Sequence, residues 1–467
     1  MTRARAALLA AATLLVLVAA RRDPWPYLRG PAPYPPEWQW GYAPKAVSIG
    51  RLAPVVGLAG LLLGLAALAR RAGPSRAASW ALLAASAVAG SGLQVALLDL
   101  EPAGAVAELE RRTTSGSFTS HFKVAAGVED VGDFLSRHHE LLPRYRHGAL
   151  HSATHPPGPI LYYVGLQRLA ARLPGLTAAL GGEERAVAVG GAALLGLFGA
   201  TACFLVTALA RALGASASAA LRVGVLWTLV PGLCLMVPEL DQALALPVAA
   251  AVVPVAVALA PDRAGRGLVP LAAGAGALTG VAAFFSYGAP LLLVLGAAAA
   301  AAPAARTAEG RRRAALVAAV TAAVTLACFF LPALFGHHPI DSARTALTIH
   351  REQFTAHRSY PQWLFFDLLD LTLFLGVPVV LFGLWLPRTP FRLAAVAGVL
   401  LLVASGLIRG EMGRILVPLM PVLLVACVVS APGRDAPEGE PSARTALVLG
   451  VLLAVTDVVL RLSWELP

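Results

Sequence analysis

Long apolar runs alternate along the chain with shorter segments that carry nearly all of its charge, and this alternation predicts helices that cross a membrane. A crossing takes about 20 apolar residues in a row, or fewer where the helix packs within a bundle. Such runs fall near residues 6–20, 52–69, 77–98, 186–210, 219–237, 243–260, 267–286, 288–305, 314–335, 364–386, 393–408, 415–430 and 446–462. The expected architecture is therefore an all-α polytopic membrane protein of about 13 transmembrane helices.

Two segments between the runs have a different period. Residues 126–142 set Val128, Val131, Phe134, Leu135 and Leu141 on one helical face. Glu129, Asp133, Arg137 and Glu140 lie on the opposite face, at spacings that allow mutual pairing. Further on, His155-Pro-Pro-Gly-Pro159 holds the chain out of helix, and Pro159 is placed to open a new one. In that new helix Ile160, Leu161, Val164 and Leu169 form an apolar face, while Arg168 and Arg172 reach for lipid headgroups. Both segments are expected to be juxtamembrane helices on the outer face.

Composition agrees with the pattern. At 467 residues, 58% hydrophobic, 13% charged and a mean hydropathy of +0.72, the chain is too apolar for a soluble globular protein. Cys203, Cys234, Cys328 and Cys427 sit far apart inside apolar runs, so they read as buried thiols and imply no disulfide framework. Residues 6–20 follow Arg3 and Arg5 as a signal peptide would. Arg21-Arg22-Asp23-Pro24 is a poor cleavage context, so the run is read as a first membrane helix. Three regions result: 1–76, two N-terminal helices joined by a Pro/Trp-rich loop; 77–430, a transmembrane core; and 431–467, a linker with the last helix.

Charge then orients the bundle. With the N-terminus cytoplasmic, the inner segments near 3–5, 70–76, 211–222, 261–266, 306–313, 388–392 and 434–444 are rich in arginine. Against these arginines stand only Asp262, Glu309, Asp435, Glu438 and Glu440, which is the positive-inside pattern of a plasma (inner) membrane protein. The formal net charge of +11 thus reports topology and anionic lipid, and no nucleic-acid partner is needed to explain it. All ten histidines fall in two outer loops. Exclusion of histidine from spans explains part of this sorting, and chemistry on the outer face explains it equally.

The outer segments hold the candidate chemistry. Loop 21–51 carries Trp25, Trp38 and Trp40 among prolines, which suits an interfacial aromatic belt or a platform for sugar rings. Asp99 and Glu101 stand where a span meets the aqueous face, where a carboxylate can act as a base. His151 and His155 flank a stiff turn and suit hydrogen bonding to phosphate, or less simply metal ligation. Glu239 and Asp241 occupy a very short outer turn, and either join a site or cap a helix. His357, Arg358 and Tyr360 close the third large outer loop. Arg409-Gly-Glu411-Met-Gly-Arg414 is a tight loop whose two arginines suit a phosphate grip, and a Glu411 salt bridge that pins helices is compatible with that role.

Taken in order, His155-Pro-Pro-Gly-Pro-Ile-Leu-Tyr-Tyr163, Pro238-Glu-Leu-Asp241 and Arg414-Ile-Leu-Val-Pro-Leu-Met-Pro421 resemble motifs of the GT-C membrane glycosyltransferases. The resemblance is to the branch containing protein O-mannosyltransferases and aminoarabinose transferases, and it covers residues 77 to about 430. It implies a GT-C-like core, a sugar donor carried on a polyprenyl phosphate, an acceptor hydroxyl on a glycan, lipid or protein, an extracytoplasmic site and inversion at the anomeric carbon. It also implies an acidic catalytic base in the outer loop after the core's first span. Where the family often has Asp-Glu before an aromatic pair, this chain has Ser117-Phe-Thr-Ser-His121-Phe122, so the role falls to Asp99, Glu101 or Asp130. The phosphate is expected near Arg414, Arg409 and His155. No specific metal site is expected, and whether a divalent cation assists stays open. The rival readings are a transporter or lipid flippase, and a non-catalytic membrane scaffold.

Overall fold

The computed structural model describes residues 1–260, 267–429 and 441–466. The predicted inner-segment residues Asp262, Arg263, Arg266, Arg434, Asp435, Glu438 and Glu440 lie outside the described residues, as does most of the linker that follows the core.

The chain is an all-α polytopic membrane protein. Among the described residues nine helices are long and apolar enough to cross a membrane: Arg3–Arg22, Ile49–Ala72, Arg76–Leu98, Glu183–Ala212, Ala217–Leu235, Leu240–Ala258, Leu268–Phe285, Ala308–Phe335 and Ala443–Ser463. Each coincides with a predicted run. Three more predicted runs form shorter apolar helices, Ala289–Ala301, Pro390–Ser405 and Val417–Val428. The run at 364–386 differs from expectation, because it breaks into Tyr360–Leu375 and Val377–Leu384 with a bend of 103°. Gly376 at φ +102 makes the break, and a Cβ there would meet the Leu453 side chain at 2.3 Å. Pro378 then opens the second piece without needing a donor for its first turn.

Hydroxyl residues start many of these helices. Thr2, Ser75, Ser216, Thr307, Thr389 and Ser442 each accept a backbone N–H of the first turn, satisfying a group that would otherwise be orphaned near the membrane. All six lie at the end of the bundle read as inner.

At the opposite end the connections are long and structured. The amphipathic helix forms over Val131–Tyr145, later than 126–142 predicts, because the Asp130 carboxylate caps it by accepting from Asp133 N. Its Asp133, Arg137 and Glu140 pair at 3.2 and 3.8 Å, and Phe134 and Leu135 are buried, as the pattern requires. Helix Gly158–Ala171 starts at the Pro-Gly-Pro turn. The first and last helices pack together, and strand β1 (Gly41–Tyr42) pairs antiparallel with β2 (Trp464–Glu465). The N-terminal loop and the end of the last helix are thereby tied to the same end of the molecule as the other large connections.

Candidate functional site

At that structured end a cavity of about 240 Å³ is lined by residues from six separate stretches of chain. The N-terminal loop contributes Trp38, Gln39, Trp40 and Gly41; the first large connection contributes Ser117, Phe118 and His151. Glu239 comes from the short acidic turn, Glu411 and Arg414 from the late tight loop, and Glu465 and Leu466 from beyond the last helix.

Arg414 is its electrostatic centre. Gly410 at φ +112 and Glu411 at φ +57 turn the chain sharply before helix Met412–Ile415. Two acids from helix Tyr360–Leu375 hold that turn, Asp367 accepting from Gly410 N at 3.0 Å and Asp370 from Gly413 N at 2.7 Å. So fixed, the Arg414 guanidinium meets Glu411 at 2.6 Å, Glu239 at 3.2 Å and Asp241 at 4.0 Å. Burial would pull its pKa down, but Glu411, Glu239 and Asp241 outweigh burial and hold it above the ordinary arginine value. Burial pushes the Glu239 carboxyl up from its usual range, and the neighbouring Arg414 only partly offsets this. The Glu411 bridge is present, and the Arg414 that it holds lines the cavity. The acidic turn belongs to the same cluster.

Of the nearby histidines His151 lines the cavity, and His155 and His121 stand behind it. His155 Nδ1 donates to His151 O at 2.7 Å, which leaves Nε2 as the acceptor nitrogen. The His121 and His155 rings meet edge to face at 5.1 Å, and Ser152 Oγ lies 3.1 Å from His121 Nδ1. Burial pushes His155 down to about 4 despite its bond to His151, and Arg414 pushes in the same direction. Burial also holds His151 well below the usual imidazole range, with Arg414 adding to it. The lowered values favour the neutral imidazoles, the form that hydrogen-bonds as both donor and acceptor.

Several other candidates have structural engagements away from the cavity lining. Asp99 accepts from Ala105 N at 3.1 Å, and Asp130 is an exposed helix cap. Glu101 is buried against Lys45 at 2.8 Å, Arg461 at 3.2 Å and Arg112 at 3.5 Å. Arg168 donates to Glu129 O at 3.1 Å. Arg409 donates to the carbonyls of Thr355 and Arg358 at 2.9 and 2.8 Å and lies over the Tyr360 ring. Arg358 in turn donates to Arg409 O, and Tyr360 donates to Ala404 O at 2.6 Å. His357 is exposed. The residues that sequence reasoning missed are Phe118, Glu465 and the anchors Glu37, Asp367 and Asp370. No local pattern marks them, since each acquires its role from a segment distant in sequence. Among the described residues no group of three or more His, Cys, Asp or Glu side chains is arranged to hold a metal ion.

Compared with family models, curated proteins and solved structures, the chain has no match.

Proposed function

We propose that the protein is an extracytoplasmic membrane glycosyltransferase that moves a sugar from a polyprenyl-phosphate donor to an acceptor hydroxyl, with inversion. The observation that carries this reading is the convergence on one small cavity of a permanently cationic guanidinium, two facing carboxylates and tryptophan rings, at the end of a membrane bundle. Those are the parts that a phosphate leaving group, a proton transfer and a sugar ring each need. On this reading the cavity end faces outward, the N-terminus is cytoplasmic, and the apolar bundle gives the prenyl chain its solvent.

The donor phosphate takes the place of Glu411 on Arg414, exchanging one anionic partner for another at a guanidinium whose charge is never lost. Glu239 accepts the hydroxyl proton as the acceptor oxygen bonds to the anomeric carbon. The bond from that carbon to the phosphate oxygen breaks, and polyprenyl phosphate departs with its new charge facing Arg414. His151 and His155, neutral, orient by hydrogen bonds. This assigns the proton to Glu239 in place of Asp99, Glu101 or Asp130, whose carboxylates are already engaged elsewhere.

The test is transfer of labelled sugar from polyprenyl-phosphate sugar in proteoliposomes. Glu239→Gln and Arg414→Lys are expected to lower kcat by about 100-fold or more, with folded protein retained in size-exclusion profiles. Full turnover in both variants would defeat the reading, as would wild-type protein that moves the whole lipid across the bilayer without transferring sugar.

A further inference from the structure

The cavity has a feature that catalysis of phosphate departure does not require: an aromatic roof supplied by the N-terminal loop. This loop belongs to the two-helix unit that precedes the region resembling a glycosyltransferase core. Its backbone is clamped from several sides. The Glu37 carboxylate accepts from Ser359 N at 2.8 Å and from Trp363 Nε1 at 2.7 Å. Trp40 is buried, and its indole donates to Asp370 Oδ1 at 2.8 Å. Arg29 O accepts from Trp40 N at 2.9 Å, and Gly30, at φ +135, passes so close that a Cβ would lie 2.4 Å from Trp38 O. Beyond it, β1 is paired with β2.

Trp38 stands between these anchors and differs from its neighbours. It is half-buried, lines the cavity, and packs edge to face on Trp40 at 4.2 Å between ring centroids. Trp25, by contrast, is 61% exposed and lines no part of the cavity, which suits the interfacial belt. Trp40 has its N–H committed to Asp370. Trp38 therefore brings an apolar ring, held by a stiff backbone, to the same small cavity that Glu239, Glu411, Arg414 and His151 line. An apolar ring together with several hydrogen-bonding groups in one cavity is what a sugar ring requires, since its C–H face is apolar and its hydroxyls are not. A cavity of about 240 Å³ is smaller than the ~300–1,000 Å³ typical of drug-sized ligand sites, and this fits a single sugar unit.

We infer that Trp38, held by the Glu37 and Trp40 anchors, is a monosaccharide-stacking subsite that selects the sugar carried by the donor. The inference deepens the glycosyltransferase reading and rests on it for the identity of the donor. Its test separates the two. Full-length wild-type protein in nanodiscs, Trp38→Ala and Trp38→Phe are titrated with three lipids: polyprenyl phosphate, a polyprenyl-phosphate hexose and a polyprenyl-phosphate pentose. Transfer kinetics are measured in parallel, with Glu239→Gln as the chemistry-deficient comparator.

The wild type is expected to bind one sugar-bearing lipid more tightly than bare polyprenyl phosphate. Trp38→Ala is expected to weaken that binding, and to raise KM, by about tenfold with kcat much less affected. Trp38→Phe restores most of the loss, and binding of bare polyprenyl phosphate stays the same in all three proteins, which a collapsed roof would not permit. Equal binding of the three lipids by the wild type overturns the subsite, as does unchanged sugar-lipid binding in Trp38→Ala. If the wild type discriminates the sugar through Trp38 yet transfers none, the enzyme reading fails and the subsite stands.

Discussion

Asp370 shows how much a single buried acid can organise. One carboxylate oxygen accepts from the Trp40 indole and the other from Gly413 N, so this residue joins the roof of the cavity to the loop that presents Arg414. The sequence places Asp367 and Asp370 at the edge of an apolar run and reveals neither partner, because both partners arrive from other parts of the chain. Asp370→Ala leaves two buried donors without acceptors, at a cost of about 1–3 kcal/mol each. The expected outcome is a lower thermal midpoint together with reduced turnover. Asp370→Asn, which keeps one acceptor oxygen, is expected to fall between the two proteins in both measurements. A midpoint unchanged in Asp370→Ala would mean that the roof and the arginine loop are fixed by other contacts.

Among the elements, helix Val131–Tyr145 docks through histidines on the two residues that lead into helix Pro339–His350. His138 packs against His337 with ring centroids 5.5 Å apart, and His139 packs against His338 at 4.8 Å. Ser342 Oγ lies 3.2 Å from His138 Nδ1, and His138 Nε2 has no hydrogen-bond partner among the described residues. Burial pushes His138 down to about 3, and His337 and His139 add to the effect. A lowered imidazole pKa means that the docked state holds the neutral form while the undocked state binds a proton below about 6.5. Docking is therefore full strength above pH 6.5 and weakens as pH falls from there toward 3. Hydrogen exchange of residues 131–145 is expected to accelerate over that window, and His138→Phe should flatten the response. Exchange that is independent of pH in the wild type would contradict this account. Four of the ten histidines thus have a role in packing the connections together, apart from the cavity.

For the molecule as a whole, one buried ionic knot closes the bundle. Glu101, at the end of helix Arg76–Leu98, meets Lys45 from the N-terminal loop, Arg112 from the first large connection and Arg461 from the last helix. Arg112 also pairs with Glu108 at 3.0 Å and donates to Val237 O at 3.2 Å, next to the acidic turn of the cavity. Burial pulls the Lys45 pKa down, and Glu101 is the main force opposing it. Glu101→Gln would leave three cations facing one neutral amide, and removal of one partner from a buried ion pair costs about 3–5 kcal/mol. A large drop in thermal midpoint is expected, with loss of ordered first and last helices. A folded, stable Glu101→Gln protein that lacks only turnover would return the catalytic base to Glu101.

The sequence alone determined the membrane class and the nine long apolar helices among the described residues, because an apolar run of about 20 residues is a local property that burial in lipid enforces, whereas connection helices such as Ala105–Thr114 and Pro339–His350 carry no such run. It also singled out Glu239, Asp241, Glu411, Arg414 and His151, whose clustering at tight turns and stiff loops is visible in one dimension. Only the tertiary structure decided which charged groups share a cavity and which are engaged as helix caps or ion-pair partners. Asp99, Asp130 and Arg409 had the right chemistry and the right predicted side, yet a backbone N–H or a carbonyl a few residues or a helix away had already claimed them. Trp38 and Glu465 line one cavity because β1 and β2 join segments more than four hundred residues apart. No local pattern encodes such a closure, since its free energy comes from contacts made once the bundle has assembled.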